Sequence, residues 1–228
     1  MSSTSKCVVL VPVGSHIEPE CERSLAKLES RGYAIRRVSG YAAIDQGRSQ
    51  MATDALAEGF EELMWIDSDI DFEPDAVDQL RAHALPIVCG IYPKKGVRAL
   101  SCHLAPNTPK VVFGAGGGLL EITYAATGFL LTRRSVYETM REQLELPVCN
   151  EGFGRPIVPY FLPLIASRGG HPWYLGEDFA FCERARKSGH VIMADTTIRL
   201  RHIGRYGYGW EDAGAVGVRY GTYTFHVT

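Results

Sequence analysis

The stretch Leu63-Met64-Trp65-Ile66-Asp67-Ser68-Asp69 sets an apolar run directly against two carboxylates. Four apolar residues of this kind read as a short strand, and the acidic tripeptide sits at its end. Upstream, Val8-Val9-Leu10-Val11-Pro12-Val13 is a continuous apolar run rich in β-branched residues, as expected of a strand covered on both faces of a parallel sheet. Between the two, Pro19 suits the first turn of a helix running to Ser30, with Leu25 and Leu28 inward and Gly32 ending it. Tyr33 to Val38 reads as a second strand. A second helix is expected over Arg48 to Glu58, where Met51, Ala52, Ala55 and Leu56 form an apolar stripe.

Downstream, Pro74 announces a third helix and Ile87 to Ile91 another strand. This alternation of strands and helices predicts an open, mostly parallel α/β sheet. The later pattern differs. Val111 to Phe113 and Leu119 to Thr123 flank a glycine run and predict a hairpin. Ala126 to Thr132 reads as a strand, with Ser135 capping a helix to Gln143. Pro147 to Pro172 is expected to lack regular structure. Asp178 to Lys187 predicts a short helix, Val191 to Ala194 a last strand, and Gly204 to Gly221 a mobile loop. No internal repeat or low-complexity linker divides the chain, so the reading is one domain over 1–228 with a mobile active-site tail at 203–228.

The chain has 228 residues, 24 Lys and Arg against 26 Asp and Glu, and a formal net charge of -2, so no overall basic field attracts nucleic acid. No stretch reaches the roughly 18 apolar residues of a membrane helix. The polar start leads straight into a strand-like run rather than a signal peptide, and the six cysteines lack paired spacing. Free thiols in the cytoplasm are the expectation.

Ligands in open α/β sheets bind at the carboxyl ends of strands. Alternate residues of an extended segment point the same way, so Asp67 and Asp69 are expected to converge on one site. Two hard oxygen ligands suit Mg²⁺ or Mn²⁺, and such an ion stabilises the charge of a departing diphosphate. The plainer reading is that aspartates end a strand and cap its turn. Glu177 and Asp178 precede an apolar and basic helix. They either favour its N-terminus electrostatically or offer a general base. His202 precedes a glycine-rich loop, either packed or as a further ligand beside Asp69.

Taken in order, these pieces resemble a nucleotide-sugar-dependent glycosyltransferase of the GT-A fold. The matching elements are Val8-Val9-Leu10-Val11-Pro12, Gly47-Arg48-Ser49 opening the second helix, and the Asp-X-Asp element Trp65-Ile66-Asp67-Ser68-Asp69. They continue with Cys89-Gly90-Ile91-Tyr92-Pro93, Ala126-Thr127-Gly128-Phe129-Leu130-Leu131 before Arg133-Arg134, Gly176-Glu177-Asp178-Phe179, and His202-Ile203-Gly204. The resemblance implies a single GT-A type, Rossmann-like α/β domain with a mostly parallel mixed central sheet flanked by helices. It implies a hexosyltransferase using a nucleoside-diphosphate sugar, a UDP- or GDP-sugar, and Mn²⁺ or Mg²⁺. Asp67, Asp69 and His202 are the implied metal ligands, with Asp67 alternatively on the ribose, and Asp178 is the implied base ahead of Glu177. Pro12, Val13, Asp45 and Arg48 are the implied donor contacts. His171 and Trp173 are candidates for the acceptor side, and Tyr206, Tyr208 and Trp210 either for a closing loop or for ordinary packing. Ser49 departs from the Asn that many relatives carry, and the segment between Gly128 and Gly176 gives no acceptor signature.

Two rivals remain. A haloacid-dehalogenase-like phosphatase also places Asp-X-Asp after a strand, with the first Asp as nucleophile, though usually on the first strand. A non-catalytic nucleotide-sugar-binding module would keep the site without turnover. A nucleotidyltransferase would open with a Gly- and Arg-rich phosphate loop, which Val13-Gly14-Ser15-His16 does not supply.

Overall fold

The computed structural model describes residues 3–214 and 222–227. Strand β1 (Cys7–Val13), helix α1 (Pro19–Ser30), β2 (Ala34–Ser39), α2 (Ile44–Ala57) and β3 (Glu62–Ile66) follow one another as the apolar periodicity requires. A short β4 (Ile70–Phe72) precedes α3 (Asp75–Ala82), β5 (Ile87–Gly90), β6 (His103–Leu104) and β7 (Lys110–Gly114). Next come β8 (Leu119–Tyr124), β9 (Phe129–Arg133), α4 (Arg134–Gln143), β10 (Leu164–Arg168) and β11 (His171–Leu175). The described chain ends with α5 (Glu177–Lys187), β12 (Ile192–Asp195), β13 (Leu200–Ile203), β14 (Gly207–Tyr208) and β15 (Thr222–His226).

The main sheet has eight strands in the order β2-β1-β3-β9-β5-β12-β8-β6. β1 runs parallel to β2 and β3, and β12 runs parallel to β5. β9 lies antiparallel between β3 and β5, so those two strands share a direction, while β8 is antiparallel to β12. The sheet is therefore mixed, with a mostly parallel orientation. Successive side chains of a strand face opposite sides, and that alternation divides the core in two. Val8, Leu10, Leu63 and Trp65 pack on one face with residues of α2, α4 and α5. Val9, Val11, Met64 and Ile66 pack on the other with residues of α1 and α3. Helices flank the sheet on both sides.

Several sequence expectations are corrected. β7 and β8 do not form a hairpin, because β7 pairs with β15 while β8 pairs with β12 and β6. The partners β15 and β12 lie far along the chain, beyond the reach of a local turn signal. Within Pro147 to Pro172, β10 and β11 make an antiparallel hairpin whose turn is Gly169-Gly170, both at positive φ. Ser135 lies inside α4, which begins at Arg134 with no side-chain cap. α2 starts at Ile44 rather than Arg48. Gly47 and Arg48 are consequently a full turn inside it, and the tyrosine ring of Tyr41 packs where a Cβ of Gly47 would sit. The tail is not all loop. Trp210 is 1% exposed, stacks on Phe113 at 4.9 Å and donates its indole N–H to the carbonyl of Ile91. Of the expected mobile segment 203–228, residues 215–221 and 228 lie outside the described residues. No helix among the described residues is long and apolar enough to cross a membrane, and all six cysteines are free thiols.

Candidate functional site

Because β1, β2 and β3 are parallel, their carboxyl ends meet at one edge of the sheet. β9 enters from that edge in the opposite sense, its first residue Phe129 opposite Ile66. The backbone N–H of Asp67 donates to the carbonyl of Gly128 at 3.0 Å, which locks the acidic turn onto the loop before β9. Gly128 is a close approach. A Cβ there would come 2.9 Å from Asp67 Oδ2 and would collide with the phenol oxygen of Tyr92. The amide of Gly128 donates to that oxygen at 3.0 Å.

Asp67 and Asp69 flank a turn rather than an extended strand, since the N–H of Ile70 bonds back to the carbonyl of Asp67. The expected convergence by strand alternation is thus corrected, and the two carboxylates take different partners. Asp67 Oδ1 accepts from Arg48 Nη2 at 2.6 Å. Arg48 is 3% exposed, not a solvated residue of the first helical turn, and lies over the Trp65 ring at 5.7 Å. Burial works against its charge, but Asp67 and then Glu177, whose Oε1 is 3.8 Å from Nε, outweigh that and hold its pKa above the ordinary arginine value. Its Nε and Nη1 are buried without hydrogen-bond partners.

Asp69 faces the other way. β13 runs antiparallel to β4 with His202 opposite Ile70, and the N–H of Ile203 donates to the carbonyl of Asp69 at 2.7 Å. That register brings His202 Nε2 to 3.5 Å from Asp69 Oδ2, while His202 Nδ1 lies 2.9 Å from the carbonyl of Pro93. A carbonyl cannot donate, so Nδ1 is the donor in that contact and Nε2 is the ring nitrogen facing Asp69. Lys95 Nζ donates to the same Asp69 oxygen at 2.5 Å. Burial would raise the Asp69 pKa, yet the hydrogen bonds from His202 and Lys95 prevail and lower it. Its second oxygen, Oδ1, is buried with no partner.

The N-terminus of α5 supplies Glu177 and Asp178 to the same neighbourhood. Asp178 Oδ1 accepts the N–H of Phe179 at 2.7 Å. Burial, and then the charge of Glu177, push the Asp178 carboxyl up from 3.8 to about 6, against the lowering effects of that hydrogen bond and of Arg48. Tyr92 is buried among these groups. Burial first, then Asp67 and Asp178, raise its pKa, and its ring meets that of His202 edge-on at 5.1 Å.

Among the described residues no three His, Cys, Asp or Glu side chains gather closely enough to hold a metal ion. Asp69 and His202 are together, with Asp67 turned to Arg48. These residues nevertheless fit a divalent cation. A hard carboxylate oxygen is buried without a partner, and an imidazole nitrogen is oriented by a carbonyl behind it. Asp67, Asp69, Glu177 and Asp178 also exceed the cations Arg48 and Lys95 by two charges.

Of the expected donor contacts, Pro12 and Val13 end β1 at this edge and Asp45 lies in the first turn of α2. The expected acceptor and lid residues are more scattered. His171 and Trp173 lie on the exposed hairpin, Trp173 edge-on to His103 at 6.2 Å. His103 in turn meets Phe179, next to Asp178, at 4.7 Å. Tyr206 is 47% exposed, lies tilted against the Tyr208 ring and donates to Asp212. Of the two readings of Trp210, closing loop or packing, the structure shows packing, since it is a core residue. A cleft of about 860 Å³, lined by Lys94, Arg98, His103 and Phe225 among others, contains none of the acidic residues of the site. Tyr92 and Lys95 are site residues to which sequence reasoning gave no role. Tyr92 stands in the matching segment Cys89 to Pro93, and both follow a strand ending at the same edge.

By sequence the chain matches no protein-family model and no curated protein. Among solved structures, the crystal structure of A197 from STIV aligns with a TM-score of 0.55 at 15% identity, covering 87% of this chain and 86% of that one. The inositol-1-phosphate CTP transferase from T. maritima aligns at 0.36 and 13% identity, over 87% and 70%. S. aureus TarS 1-349 aligns at 0.39 and 13%, over 83% of this chain and 57% of that one. At 15% identity the first likeness is one of fold alone, and the other two are too distant to carry an argument.

Proposed function

We propose that the chain is a metal-dependent glycosyltransferase that moves a sugar from a nucleoside-diphosphate sugar, a UDP- or GDP-sugar, to an acceptor hydroxyl. The observation that carries this reading is the gathering of two groups of side chains near one sheet edge. Asp69, with its Oδ1 buried and unpartnered, lies beside His202, and Asp178 carries a carboxyl raised to about 6. Asp69 and His202 are the residues that would hold Mn²⁺ or Mg²⁺, with Asp67 the neighbouring carboxylate. When bound, the ion supplies neutralisation of the departing diphosphate.

The chain's own residues do the rest. Pro12, Val13 and Asp45 line the edge where the nucleotide lies. Arg48 fixes the Asp67 carboxylate through its guanidinium. Asp178 is largely ionised at pH 7, because its pKa is about 6. It takes the proton of the acceptor hydroxyl, a role that a base titrating near the working pH performs best. Burial sets that value first, and like-charge repulsion from Glu177 adds to it. Trp173 and His103 lie on the flank of α5 from which an acceptor would approach. The phosphatase alternative requires Asp67 as a free nucleophile, whereas Arg48 holds its Oδ1.

The test is a thermal-shift screen of UDP-, GDP-, CMP- and dTDP-sugars with and without Mn²⁺. A ligand at 100 times its Kd stabilises by about 2.7 kcal/mol. One UDP- or GDP-sugar is expected to raise the melting temperature in an Mn²⁺-dependent way. The dependence is expected to vanish in Asp69→Ala while that variant still unfolds cooperatively. No shift with any nucleotide sugar, with or without metal, overturns the proposal.

A further inference from the structure

Lys95 is the unexplained member of the site. Its ammonium sits 2.5 Å from Asp69 Oδ2, the same oxygen that His202 Nε2 approaches at 3.5 Å. It therefore occupies the Asp69 oxygen that faces His202, the pair that would hold a cation. Two cations cannot share that oxygen at such range without strong repulsion. The segment carrying Lys95 is also built to move it. Pro93 bridges to Leu100 and Lys94 N–H bonds to the carbonyl of Ala99, so residues 94–99 form a turn closed at its base. Val97 at the tip is 60% exposed, and Gly96 holds a positive φ. The Lys95 stem rests on Gly204, where a Cβ would come 3.1 Å from Lys95 Cδ. Swinging the ammonium away unpacks none of the buried core.

We propose that Lys95 is a built-in competitor for the cation at Asp69. It closes the corner when no donor is present, and hands its charge to the donor's diphosphate when the metal enters. The consequence is coupling: metal and nucleotide each bind better in the presence of the other, because each helps to displace or occupy Lys95. This rests on the donor reading above and extends it to a named residue.

The experiment titrates Mn²⁺ into the wild-type chain, Lys95→Met and Lys95→Arg, following the electron paramagnetic resonance signal of free Mn²⁺. Methionine keeps an unbranched stem over Gly204 and removes the charge. Without nucleotide, Lys95→Met is expected to bind Mn²⁺ about tenfold more tightly than wild type, the loss of one charge-assisted hydrogen bond as competitor. Lys95→Arg is expected to stay near wild type. Adding UDP or GDP is expected to tighten Mn²⁺ binding in wild type and to do so less in Lys95→Met. Unchanged or weaker Mn²⁺ binding in a folded Lys95→Met, or no Mn²⁺ binding to any of the three, overturns the proposal. The two readings fail separately. If nucleotide sugars still stabilise the wild-type chain, only the role of Lys95 is lost; if they do not, the donor reading falls as well.

Discussion

Replacing Asp178 with Asn removes a charge that the fold opposes while keeping the oxygen that accepts the Phe179 N–H at 2.7 Å. The carboxyl rises from 3.8 to about 6, chiefly through burial, so ionising it at pH 7 costs the folded state free energy. Two pH units at about 1.4 kcal/mol each set an upper bound of about 3 kcal/mol. Because the side chain retains some solvent contact, about 1–2 kcal/mol is the expected gain for Asp178→Asn at pH 7. For a chain of this length that is roughly 2–8 °C in melting temperature. The sign with pH is fixed. Between about 4 and 6 the folded state binds more protons than the unfolded state, so the wild type recovers this term as pH falls. The advantage of the variant is thus full at pH 7, shrinks through about 6, and vanishes near 4. Urea unfolding of both proteins at pH 7.5, 5.5 and 4 measures it, alongside sugar transfer, which the variant is expected to lose. A variant less stable than wild type at pH 7, or a difference that ignores pH, refutes the reasoning that Asp178 is a strained, poised base.

Two further outcomes are expected. Gly128→Ala drives a methyl against the Tyr92 phenol and to 2.9 Å from Asp67 Oδ2. A loss of about 1–3 kcal/mol in denaturant unfolding is expected, with nucleotide-sugar stabilisation lost too. Trp210→Ala opens a large cavity beside Phe113, and about 3–5 kcal/mol of stability is expected to go. A change of less than 1 kcal/mol would return Trp210 to the closing loop.

Much of the fold was legible because it is written in local periodicity. Val8 to Val13 and Leu63 to Ile66 declare buried strands, and the breaks at Pro19, Gly32 and Pro74 fall where the helices begin and end. These signals depend on neighbours a few residues away. The segments of β7 and β8 read locally as a hairpin, but their partners, β15 and β12, are set by pairing across the chain. Trp210, open locally to a closing loop or to packing, is decided in the same way. A Gly- and Tyr-rich surrounding suggests a loop, whereas Phe113 and Ile91 make it core.

The sequence by itself determined the chemistry on offer: Asp67 and Asp69 after a buried strand, Glu177 and Asp178 before a helix, and a late His202. Only the tertiary structure decided how that chemistry is shared. The β4–β13 register set His202 beside Asp69, the antiparallel entry of β9 tied Asp67 to Gly128, and the early start of α2 buried Arg48 against Asp67. Lys95 and Tyr92 joined the site through the same long-range pairings. Residue type and local spacing carry charge and propensity, but the partner that each charge meets is fixed by strand register and by chain segments that are not neighbours in sequence.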